Sequence, residues 1–357
     1  MYARYLPIFL SILCTLAFAT LFHVSYADST VSEEPTSQAA TKMGKIIGGS
    51  ELVFPEWFKE SFMDFREDAA DAAKADKHLL LFFHVAGCPY CKKMLHDNFQ
   101  QGENPKLLKN YFDVIAIDAN GSKDVVYNEK TTISERSFAQ VLNVHYTPTL
   151  LFMNANNKVV ARLNGYRSPR EFKAVLNFVK DKAYQHTDLA SYRQTHLTDT
   201  HYELAKDPRY LATTNLQKLA QQDKPLLILI EDKTCDACEA FHKTVFDLKD
   251  TALILDKFNV VRLDALSDTT ITNPEGKKTT APQWLKQLGI SYRPAVLLYS
   301  EGKEIERVTG LLKSFHFQQL LKYVAEQKYK EFDTWLEYEH EQTEQLIRSG
   351  KDVDIWK

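Results

Sequence analysis

Apolar residues in this chain gather in short unbroken blocks, separated by polar stretches of helical period. The run His78-Leu79-Leu80-Leu81-Phe82-Phe83-His84-Val85 shows no alternation, the pattern of a strand buried on both faces, and Gly87 stops it just before Cys88. Upstream, Trp57, Phe58, Phe62, Phe65, Ala69, Ala72 and Ala73 recur at three- and four-residue steps, predicting an amphipathic helix that starts from Pro55. Downstream the pattern predicts a helix through Met94 to Phe99 and a strand near 112–117, then a helix near 134–142 and strands over 149–153 and 159–163 around a turn at 154–157. A helix over 169–179 closes the series. The order is β-α-β-α-β-β-α.

Shifting the sequence by 145 to 147 residues brings these features back. Leu226-Leu227-Ile228-Leu229-Ile230 repeats the buried strand, and Cys235 and Cys238 repeat Cys88 and Cys91. Phe246 matches Phe99, Asp264 matches Asp118, and Pro294 matches Pro148. Arg307-Val308-Thr309-Gly310 matches Arg162-Leu163-Asn164-Gly165. The chain therefore reads as an α/β protein of two tandem domains, each a central mixed β-sheet flanked by helices. They cover 51–184 and 208–328, joined by a polar connection over 185–207, and an acidic helix over 329–357 follows. That last helix reads either as a docking surface or as an end helix packed on its own domain.

Residues 5–24 are almost wholly apolar, and Ser25-Tyr26-Ala27 puts small residues where a signal peptidase cuts, so 1–27 reads as a secretory signal peptide and 28–50 as a flexible leader without chemistry. An uncleaved N-terminal membrane anchor is the alternative. The final residues do not form a retention signal, which favours a bacterial periplasm over an endoplasmic reticulum. The 357 residues carry a formal net charge of only −3, with both signs interspersed, so no basic stripe offers itself to nucleic acid.

Five cysteines become four once Cys14 leaves with the signal, in two pairs of identical spacing. Each pair stands where a strand hands over to a helix, and a first cysteine at a helix amino terminus is favoured as thiolate. The second cysteine, one turn on, can resolve a mixed disulfide formed by the first. Cys88 and Cys235 are thus candidate nucleophiles, and Cys91 and Cys238 candidate resolving thiols. A shared zinc or iron–sulfur site is disfavoured, because the pairs lie 147 residues apart in separate repeats, and no metal or other cofactor is expected. A purely structural role is also disfavoured, because a three-residue loop removes little unfolded-state entropy.

With the cysteine pairs and the aromatic-X-Pro elements Tyr146-Thr147-Pro148 and Tyr292-Arg293-Pro294, the chain resembles the thioredoxin superfamily. The resemblance implies a cis proline beside each cysteine pair and a preceding residue that pairs with substrate, which gives Thr147, Pro148, Arg293 and Pro294 substrate-binding roles. Cys88-Pro89-Tyr90-Cys91 is similar to the glutaredoxin tetrad, while the stretch from Pro55 to His78 resembles periplasmic thioredoxins associated with bacterial sulfur oxidation. The buried acid that thioredoxins place six residues before the first cysteine is replaced by Phe82 and Leu229. His84 and Glu231, four residues before each pair, are the candidates for proton transfer, ahead of His96 and His242.

Lys92 and Lys93 follow the first pair, while Asp236 and Glu239 surround the second. This contrast predicts that Cys88 is the more acidic thiol and the first disulfide the more oxidising, so that electrons would pass from the second pair to the first. The implied activity is exported thiol–disulfide exchange, reducing protein disulfides or cysteine sulfur adducts. Protein thiols and an electron-donor protein, membrane-bound or soluble, would be the partners. An oxidase or isomerase, or a scaffold with one redox-inactive domain, are the alternatives.

Overall fold

The computed structural model describes residues 42–49, 51–128, 130–197, 201–235 and 237–356. The expected signal, Cys14 and Asp236 lie outside them. Among the described residues no helix is long and apolar enough to cross a membrane.

Two four-stranded sheets of the same topology account for the sequence repeat. In the first, β1 (His78–His84) lies between β2 (Phe112–Asp118), to which it is parallel, and β3 (Thr149–Met153), which runs antiparallel to it and pairs in turn with β4 (Val159–Asn164). In the second, β5 (Leu226–Glu231), β6 (Asn259–Asp264), β7 (Ala295–Ser300) and β8 (Lys303–Val308) repeat that order and those directions. Both central strands are covered on both faces, which is why their sequences do not alternate. Leu80 and Phe82 enter one apolar cluster of the first domain, while Leu79, Leu81 and Phe83 enter the other.

Three elements depart from the periodic reading. The first helix starts at Phe65 rather than near Pro55, because the Asp64 carboxylate caps the N–H groups of Arg66 and Glu67, and Met63 takes a positive φ just before it. Trp57 and Phe58 pack on the core as loop residues, and Phe62 points fully into solvent. The polar connection carries a helix, Leu189–His196, capped by Asp188. The leader's Ile46–Ile47 pairs in parallel with Val353–Asp354, so this part of the leader is a built element.

The domains meet through equivalent loops. Gly165 faces Gly310 so closely that a Cβ on Gly165 would lie 3.2 Å from Gly310 Cα. Asn164 Nδ2 donates to Thr309 Oγ1 at 3.2 Å, and Arg167 Nη2 donates to Thr309 O at 2.8 Å. Matching residues of two repeats in mutual contact describe a local two-fold arrangement. Each domain also lends a side chain to the other's core: Tyr146 packs against the second and Leu311 against the first. The helix Trp335–Arg348 buries Trp335 and Tyr338 on the second domain, and Trp335 lies over Tyr146, ring centroids 5.9 Å apart.

Candidate active sites

The first cysteine pair is a disulfide at the start of a helix, Pro89–Met94. Cys88 occupies the capping position and Pro89 the first helical position, where a missing N–H costs nothing and the fixed φ suits the helix. The Cys91 N–H points at Cys88 Sγ at 3.0 Å, and the Thr147 hydroxyl donates to the same sulfur at 3.4 Å. Both donors would stabilise a Cys88 thiolate. Cys88 retains 6% exposure and Cys91 none, which separates an attacking from a resolving sulfur. The Thr147–Pro148 bond is cis and places the Thr147 carbonyl oxygen 3.6 Å from Cys88 Sγ.

Around Cys88 runs a groove of about 740 Å³ lined by Cys88 and the Thr147 loop from the first domain and by a wall of Leu311, His316 and Trp335 from the second repeat and the tail. Tyr90, inside the Cys-x-x-Cys loop, is fixed by that wall: its hydroxyl accepts from the Lys313 N–H at 2.9 Å, and its ring meets His316 and Trp356 edge-on. Burial pushes His316 down to about 4, so this wall is uncharged at that position at neutral pH. None of these partners is visible from the Cys-x-x-Cys motif, because all come from the second repeat or the tail.

The second disulfide, Cys235–Cys238, differs in three respects. Its helix begins at Cys238, so Cys235 stands ahead of the helix rather than capping it; no proline follows Cys235 to set that start. Secondly, the inter-domain connection covers it. Tyr202 forms a buried cluster with Cys235 and Cys238 and donates its N–H to Lys233 O at 2.8 Å, and Leu197 is buried beside Cys235. Arg193, on the connecting helix, donates to Ser291 O and to Glu171 Oε1, the latter at 2.8 Å, stapling the cover to both domains.

Thirdly, a buried acid–base pair lies behind it. Glu231 and Leu229 share one face of β5, which is the face against the Cys238 helix. There His242 Nε2 bonds Glu231 Oε1 at 2.9 Å, Tyr202 donates to the same oxygen at 3.4 Å, and Glu231 Oε2 is buried without a partner. Burial alone would lower His242, but the hydrogen bond and charge of Glu231, helped by Asp247, raise it. The sequence alone places His242 behind Glu231 as a proton-transfer group. Its position four residues after Cys238, on one helix face, was the available signal.

In the first domain the matching residue, His84, packs its ring at a tilt against Phe54, centroids 4.7 Å apart, its Nδ1 buried without a partner. Burial lowers its pKa against the opposing pull of Asp118. The domains thus carry unlike groups at one strand position. His96 is exposed and bound to Asp97.

The expected charge contrast is offset in part by local ion pairs. Lys93 is neutralised by Asp97 at 2.7 Å and Glu239 by Lys243 at 2.5 Å, each one helical turn away. Arg293, preceding the cis Pro294, is buried against Asp232 at 3.1 Å, and burial lowers it to about 10. The Asp97 and Lys243 pairs offset the charges of Lys93 and Glu239, while Asp236 lies outside the described residues.

Paired Cys-x-x-Cys disulfides beside cis prolines on this sheet topology define a thiol–disulfide oxidoreductase. The sequence profile of the Thioredoxin-like domain matches residues 65–180 and 213–325, together more than half of the chain, and the chain belongs to that family. No curated protein matches it. Among solved structures, it is similar to a thioredoxin-fold protein from Helicobacter pylori, at 27% identity over 34% of this chain and 84% of that one, with a TM-score of 0.31. A thioredoxin from Thermus thermophilus matches at 23% identity over 38% and 87%, TM-score 0.25. The C-terminal domain of DsbD from Neisseria meningitidis matches at 19% identity over 29% and 82%, TM-score 0.23.

Proposed function

We propose that this protein is exported and reduces protein disulfides or cysteine sulfur adducts, by dithiol exchange through a mixed disulfide at Cys88. The observation that carries this reading is the asymmetry of the first disulfide: Cys88 opens onto a groove of about 740 Å³, while Cys91 is closed off behind it. A substrate sulfur entering the groove meets Cys88, and the Thr147 hydroxyl and the Cys91 N–H steady the thiolate before and after exchange. Thr147 and Pro148 form the substrate-side edge.

Export rests on residues 5–24 and the small residues before 28, and leads to a periplasmic site of action. There an electron-donor protein would re-reduce Cys88–Cys91, and a role in sulfur oxidation fits the likeness of the segment before β1. His84 and Glu231 are the proton-transfer groups of this reading, Glu231 acting with His242. The covered Cys235–Cys238 pair supports a narrower version, in which protein substrates exchange at the first domain alone. Trapping tests both versions. A Cys91→Ser variant should retain substrate proteins as reducible adducts at Cys88, and a Cys238→Ser variant should retain few at Cys235. Absence of adducts with Cys91→Ser would refute the assignment.

A further inference from the structure

Two loops carry the cis prolines, and each is pinned by the opposite domain. Tyr146, which immediately precedes Thr147, reaches the second domain, where its hydroxyl shares a proton between Glu306 Oε1 at 2.8 Å and Arg307 O at 2.5 Å. Its counterpart Tyr292 packs against Arg167 of the first domain, the ring centroid 3.9 Å from Arg167 Cζ. Glu306 stands on β8 where the first repeat has Ala161, so the strand itself does not require an acid there. Burial pushes its carboxyl up, the mark of a charge held at a cost. The neighbouring Arg307 guanidinium forms its ion pair with Glu304, at 2.8 Å. The donors that reach Glu306 Oε1 are the Arg307 N–H, at 3.0 Å, and the Tyr146 hydroxyl.

We infer that Glu306 is a positioning residue for the Cys88 site, supplied by the second domain and acting through Tyr146 on Thr147. The path is short. Glu306 holds the Tyr146 side chain at its tip, and Thr149 Oγ1 donates to the Tyr146 carbonyl at 2.7 Å, so the residue before Thr147 is fixed at both ends. Thr147 in turn aims its hydroxyl at Cys88 Sγ from 3.4 Å. A hydrogen bond to sulfur falls off with distance and angle, so a small shift of Tyr146 weakens the donor that steadies the thiolate. The domain whose own disulfide is covered thereby sets the reactivity of the open one. The inference rests on Cys88 being the attacking thiol.

The test uses the full-length reduced protein and follows iodoacetamide alkylation of Cys88 and Cys235 against pH by mass mapping. Glu306→Leu should raise the midpoint of the Cys88 profile and slow its alkylation at pH 7 about two- to fivefold, within the effect of losing the Thr147 hydroxyl itself. Tyr146→Phe removes the same bond from the other side, should act alike, and serves where Glu306→Leu does not fold. Glu306→Gln keeps an acceptor in place and should restore the native profile. In a Thr147→Val background Glu306→Leu should add nothing, and the Cys235 profile should stay fixed throughout. A carboxylate acting through space alone would give the opposite sign, because removing a nearby anion lowers a thiol's pKa. An unmoved or lowered Cys88 midpoint, a full shift surviving in the Thr147→Val background, a Glu306→Gln variant that behaves like Glu306→Leu, or equal changes at Cys235 would overturn the inference. Should these shifts appear while Cys91→Ser traps no adducts, the exchange reading fails and the positioning stands.

Discussion

Gly310 stands at the point where the two repeats touch, and a Cβ there would sit 2.3 Å from Asn164 O and 3.1 Å from Gly165 Cα. The first separation is about 1 Å short of van der Waals contact. Both neighbours are backbone atoms, so no rotamer change relieves the clash and the domains must part. Overpacking of this kind costs about 1–3 kcal/mol. If it falls on docking, the ratio of docked to undocked molecules drops roughly 5- to 150-fold. Undocking uncovers Cys235, so Gly310→Ala should speed phosphine reduction of the second disulfide by at least fivefold and enlarge the radius seen by small-angle scattering. Gly49→Ala, with its nearest neighbour at 3.9 Å, serves as the control. An unchanged reduction rate and radius in Gly310→Ala would show that the glycine contact does not hold the domains together.

Two further outcomes follow from the sites. The raised pKa of His242 contributes stability that is fully present below its unfolded value of about 6.5 and is lost as pH rises through the folded value. Glu231→Gln should therefore lower the urea midpoint more at pH 6 than at pH 9, with a penalty of about 1.5–3 kcal/mol at the acid end, and an equal penalty at both would contradict the pairing. Thr147→Val removes the hydroxyl donor to Cys88 Sγ; alkylation of the reduced protein at Cys88 should slow by up to roughly tenfold at pH 7 while alkylation at Cys235 is unchanged.

What sequence could reach is set by range. The buried strands, the repeat and both cysteine pairs rest on local runs and a fixed offset, and the sheets follow from them. Local pattern misjudged the stretch before Phe65, where apolar spacing imitates a helix but the Asp64 cap and the Met63 turn decide its start. The charge contrast is softened for a similar reason: Lys93 and Glu239 stand beside the cysteines, yet their partners Asp97 and Lys243 sit one turn away. The surroundings that distinguish the two disulfides were out of reach. Tyr90 is held by Lys313 and Cys235 is bordered by Arg170, contacts that exist only once the domains dock.

The wall that completes the groove at Cys88 also has a date. Trp335 and Trp356 are made more than 240 residues after Cys91. The first domain is complete only at Lys180, 155 residues before Trp335, so at about 5–20 residues per second a newly folded first domain spends roughly 8–30 s with Tyr90 bare and its disulfide site unconfined. During that interval the cysteines meet whatever oxidant or thiol surrounds the emerging chain, without the selectivity that the finished groove imposes. The order of synthesis therefore makes the first site general before it is specific.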